Sequence, residues 1–121
     1  MIYVFQVADD VPILLPSEDA NRTEFHLEAK PMLDVWEPPK VKVLNPDWSP
    51  CSKLRGDCYW LWSHGDAPVV SERAKELFSQ VKNLDVEFLP IPVGDRCVYL
   101  MNVLTQLECI DFEKSHVRYF F

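Results

Sequence analysis

The clearest pattern along the chain lies between Ser71 and Val81. Apolar Ala74, Leu77, Phe78 and Val81 recur at i, i+3, i+4 and i+7, which is one face of a helix, and Glu72, Arg73, Lys75, Glu76 and Gln80 take the other. Ser71 stands ahead of the first turn, where a hydroxyl can accept from an orphan amide. Glu72 suits the positive end of the helix dipole. Asn83 and Asp85 close the segment. The pattern then changes period: Val86, Phe88 and their flanks alternate as a strand, which Pro90 and Pro92 are expected to stop because proline cannot donate to a central ladder. Gly94-Asp95 is turn chemistry, and the apolar run CVYLMNVL follows it, so an antiparallel pair is predicted.

Period-two alternation recurs elsewhere. Ile2 to Val7 reads as a strand ended by Asp9-Asp10, and Pro12 to Asn21, with its prolines and Ser-Glu-Asp cluster, reads as a loop. Phe25, Leu27 and Ala29 alternate with Glu24, His26 and Glu28, another strand. Val41 to Leu44 forms a short strand within a proline-rich stretch, ahead of the turn residues Asn45-Pro46-Asp47. Tyr59 to Trp62 is a strand with bulky residues on both faces, and Trp60 and Trp62 share one of them, either core or an exposed aromatic patch, with core the expectation. The sum is an α+β chain: a mostly antiparallel sheet of about six short strands and one clear amphipathic helix, in a single domain over residues 1–121.

Composition narrows the function classes. With 48% hydrophobic and 26% charged residues the chain is ordinary globular material. Its net charge of −7 is uneven: residues 1–40 hold eight carboxylates against three basic groups. An acidic domain without a basic stripe is poorly suited to nucleic acid, whose phosphates supply most of that affinity, and better suited to a basic protein partner. The first residues lack a basic n-region and a small-residue cleavage site, and no apolar run approaches a membrane span, so a cytoplasmic protein is expected. Its cysteines, Cys51, Cys58, Cys97 and Cys109, are then reduced thiols.

Catalytic and metal readings find little support. Glu24, His26 and Glu28 form a row of ligand types, but a row on one strand makes no closed site. Cys51, Cys58 and His64 miss knuckle spacing and lack a fourth ligand. Cys58 with His64 and Asp66 is a nucleophile arrangement that any such residues within a short stretch would satisfy. The three isolated glycines, Gly56, Gly65 and Gly94, cannot write a phosphate-binding loop. Neither a cofactor nor a catalytic residue is expected.

The succession VVSERAKELF, VEFLPI and VYLMNVLTQLECID, with Gly56-Asp57 before it and Ser115 after it, resembles the family numbered eleven among the immunity proteins of bacterial polymorphic toxin systems. The resemblance covers roughly Gly56 to Ser115. It implies a non-enzymatic protein that binds and neutralises a cognate toxin domain in inter-bacterial competition. That family continues beyond this point with further strands and a second Ser-led helix, so the resemblance also implies a truncated member or a shared half.

On that footing the candidate partner-binding residues are the carboxylates Asp9, Asp10, Glu18, Asp19, Glu24 and Glu28, which could occupy the phosphate site of a nuclease toxin, together with Trp36 and Trp48 as aromatic anchors. Two readings compete: an oligomerisation or adaptor domain without toxin binding, and a small metal-dependent hydrolase. The aromatic end, His116 to Phe121, alternates as a strand that must pair, with a missing C-terminal half, with the partner by strand addition, or with a second copy in a homodimer, of which truncation compensated by the homodimer is the expectation.

Overall fold

A computed structural model describes residues 11–16, 30–51, 53–61, 68–105, 111 and 113–116. The order of elements is β1 (Ile13–Pro16), a 3-10 turn (Leu33–Val35), β2 (Val41–Leu44), β3 (Cys58–Leu61), β4 (Val69–Val70), α1 (Glu72–Ser79), β5 (Val86–Val93) and β6 (Arg96–Val103). The strands form one sheet in the order β2-β1-β3-β4-β6-β5. β2 and β5 stand at opposite ends of that order yet approach each other, so the sheet curls. The class is α+β. The sheet is mixed, because β1 runs parallel to β3 while the other pairs are antiparallel.

α1 forms where the periodicity places it but ends at Ser79, short of the expected Val81, and of the expected apolar face Ala74 and Phe78 pack inward while Leu77 and Val81 are exposed. Ser71 Oγ accepts from the Ala74 amide at 3.1 Å and donates to Asp57 Oδ1 at 2.7 Å, so one hydroxyl caps the helix and ties it to the chain before β3. Asn83 (φ 62°) turns the chain away after the helix, a conformation Asn tolerates better than most residues. The hairpin follows. Gly94 (φ 60°) opens its two-residue turn, a left-handed position that glycine adopts freely, and full register runs from Val93↔Arg96 to Val86↔Val103.

Three local expectations need correction. Pro90 and Pro92 do not stop β5, which continues to Val93. They sit two residues apart, so both missing N–H groups belong to the side of β5 facing away from β6, at the free edge of the sheet. Within the expected loop Pro12 to Asn21, residues Ile13–Pro16 form a strand held between β2 and β3. In β3 the core face belongs to Tyr59 and Leu61, both buried, while Trp60 is half-buried on the other side. The strands expected in residues 1–10 and 23–29, and the segment 117–121, lie outside the described residues.

Alternation along β6 divides the core into two faces. Val98 and Leu100 join the larger cluster, with Leu14, Leu54, Tyr59, Leu61, Val69, Leu89 and Ile91, on the concave side. Met101 turns the other way and meets Val70 and Ala74 beneath the helix, with Phe78, Val86, Phe88 and Tyr99 partly buried around them.

Candidate partner-binding surface

The two tryptophans singled out from the sequence meet different fates. Trp36 ends the 3-10 turn, half-buried against the larger cluster, and its indole Nε1 donates to the Pro90 carbonyl at 2.7 Å. That carbonyl faces the free side of β5, so the ring fastens the segment before β2 to the sheet's edge. Trp48 stands at 48% exposure in the turn after β2. Its backbone is left-handed (φ 67°), a position that costs a bulky residue on the order of 1 kcal/mol or more and is held only where the surroundings over-determine it.

The surroundings do so here. Asn45 N–H donates to the Ser49 carbonyl and Trp48 N–H to the Asn45 carbonyl, each at 2.9 Å. Asn45 Nδ2 reaches Ser49 Oγ at 3.0 Å, and Asp47 Oδ1 accepts from both the amide and the hydroxyl of Ser49. These bonds hold the Asp47 carboxyl below the usual carboxylate range, the Ser49 hydroxyl contributing most. Beside the turn lies an open cleft of about 570 Å³ whose lining includes Asp47, Cys51, Lys53 and Arg55.

A second polar arrangement was not legible in the sequence. Glu87 and Asn102 pair across the hairpin on the concave side. Asn102 is 1% exposed, and its Nδ2 donates to the Lys30 carbonyl at 2.8 Å and to Glu87 Oε1 at 2.9 Å, while Oδ1 has no partner among the described residues. The Glu87 carboxylate also accepts the Met32 and Leu33 amides. A strap from Lys30 to Trp36 is thereby pinned along β5. Its anchors lie more than fifty residues away, so only long-range pairing reveals them.

The nucleophile arrangement gains no support from Cys58. Desolvation, with Asp57 beside it, pushes this thiol up and keeps it protonated, and protonated thiols are poor nucleophiles. Among the described residues no three of His, Cys, Asp and Glu come together as a metal site. Among them, too, no helix is long and apolar enough to cross a membrane. Asp9, Asp10, Glu18, Asp19, Glu24, Glu28, His26 and His64 lie outside the described residues. Of the expected dimerisation end, His116 is described and exposed.

No curated protein and no solved structure matches the chain. A family profile does, across residues 51–120, which takes in β3, β4, α1, β5 and β6 and thus the anchors Glu87, Pro90 and Asn102. That match spans more than half of the sequence and agrees with the order of helix and strand motifs read from it. The chain belongs to the immunity protein family (Imm11).

Proposed function

We propose that this protein is a cytoplasmic, non-enzymatic inhibitor that binds a cognate bacterial toxin domain and neutralises it. Membership in the immunity protein family carries the reading. The excess of carboxylates supports a basic partner: opposite potentials speed encounter and select among partners, while a few desolvated aromatic or apolar side chains set the dissociation rate. A nuclease is the toxin class this suits best, since its phosphate-binding site is basic and Asp9, Asp10, Glu18, Asp19, Glu24 and Glu28 can occupy it.

Trp48 is the aromatic anchor the geometry favours. A large ring held half-exposed at a left-handed position, inside a turn fastened by five hydrogen bonds, is costly to keep for stability alone. Trp36 supports binding indirectly, by fixing the strap.

The test is protection of a sensitive host expressing the toxin domain encoded beside this gene. Rescue by the wild-type protein is expected to persist in His26→Ala, Cys58→Ala and His64→Ala and to fall in Trp48→Gly and in charge-reversed N-terminal carboxylates. Trp48→Gly relieves the backbone, so its thermal midpoint should change little while affinity drops roughly ten-fold or more. Absence of rescue by folded wild-type protein would refute the reading.

A further inference from the structure

The strap between β1 and β2 carries a feature that core formation does not require. Leu33 and Val35 are 57% and 73% exposed, with the carboxylate of Asp34 between them. Isolated exposed apolar residues need no explanation. These two, however, sit on a segment fastened from both ends. Its start is held by Asn102 on the Lys30 carbonyl, its middle by Glu87 on the Met32 and Leu33 amides, and its end by the Trp36 indole on Pro90. The anchors consume a side chain buried to 1% exposure and a carboxylate, groups that are costly to desolvate. What they hold still, between Met32 and Trp36 that pack on the larger cluster, is a turn with no buried residue of its own. Fixing a segment before it binds removes the ordering cost from the binding step.

From these observations we infer that the Leu33–Asp34–Val35 tip is a binding element of this protein, and that its occupant is the toxin domain, through an apolar depression rimmed by basic groups. The inference rests on the immunity reading above. Charge identifies the rim: the tip itself carries Asp34, with Glu37 three residues on, both exposed, while the basic residues of the segment, Lys30 and Lys40, stand at its far ends. The position relative to the family match agrees. Residues 51–120 supply Glu87, Pro90 and Asn102, the scaffold that holds the strap, while the tip itself lies outside the matched stretch. A specificity element carried on a shared frame has that distribution.

The probe is the same neighbouring toxin domain, purified, titrated against wild type, Leu33→Asp, Val35→Asp and the control pair Leu77→Asp, exposed on the helix, with Val81→Asp, exposed just after it. Each tip variant is expected to weaken binding roughly ten-fold or more with the fold retained, and the control pair less than about three-fold. In wild-type protein, hydrogen exchange at Leu33, Asp34 and Val35 should slow on addition of toxin, a readout that needs no variant. If wild type binds and protects while both tip variants bind equally well and exchange at the tip is unchanged, the inference is overturned and the immunity reading stands. Tip variants that dissolve a homodimer but leave toxin binding intact overturn it as well, assigning the tip to a second copy. If folded wild type neither binds nor protects, both fall together.

Discussion

The helix and the strap are two attachments to one hairpin, made with different balances of apolar and polar contact. α1 lies on the convex face and is held by apolar contact, Ala74 and Phe78 against Val70, Met101 and their neighbours, with a hydroxyl cap at its start. The Lys30 to Trp36 strap closes the concave side and the outer edge of β5, where Met32 and Trp36 pack against the larger cluster and hydrogen bonds from Glu87, Asn102 and Trp36 fix its position. Both keep apolar side chains in solvent: Leu77 on the helix and Val81 just after it, Leu33 and Val35 on the strap. The difference lies in what each attachment can tolerate. Apolar contact is non-directional and degrades gradually, whereas a buried polar junction fixes one geometry and fails when a single partner is removed.

Core truncation should separate the two faces most strongly. Leu100→Ala, in the larger cluster, is expected to cost about 4 kcal/mol, and Met101→Ala, beneath the helix, about 2 kcal/mol, by denaturant titration. Equal losses would show that the concave cluster is not the dominant core. Next comes Asn102→Leu, which strips the Lys30 carbonyl of its donor and should cost about 2 kcal/mol. Exchange at the Met32 and Leu33 amides should accelerate while α1 amides keep their protection. The mirror experiment is Ser71→Ala, at about 1 kcal/mol, expected to fray Glu72 to Lys75 without touching the strap.

Alkali gives the smallest effect and acts on the helix side. Tyr99 donates to Glu72 Oε2 at 2.9 Å, and its phenol is raised above the ordinary value of 10.0, by that bond first and by desolvation second. A group raised in the folded state contributes stability that is whole below its unfolded value and is lost as pH climbs toward the folded one. Stability should therefore begin to fall above about pH 10, and Tyr99→Phe should flatten that decline.

This contrast also explains what the sequence disclosed. The helix, its Ser71 cap, the hairpin and the strands at Val41–Leu44 and Cys58–Leu61 all rest on local periodicity and turn residues, and all are present. β1 is a four-residue run closed by a proline, and its neighbours on both sides are set by pairing at long range. β4 spans two residues, too few to show any period. The continuation of β5 through Pro90 and Pro92 did carry a signal in their spacing of two, which spares a strand whose outer side needs no donors. As for the site, Trp48 is recognisable as an aromatic beside turn residues. Nothing near Leu33 announces a partner more than fifty positions away.

The parallel pairing of β1 with β3 has a consequence in time. The β5–β6 hairpin closes across two residues, but β1 cannot settle on β3 until the chain between Pro16 and Cys58 has been gathered, and the strap lies within that stretch. Pulse-labelled exchange should show Leu89 and Leu100 protected before Leu14. β1 then joins a hairpin already closed, and the larger cluster is completed only when that last strand arrives.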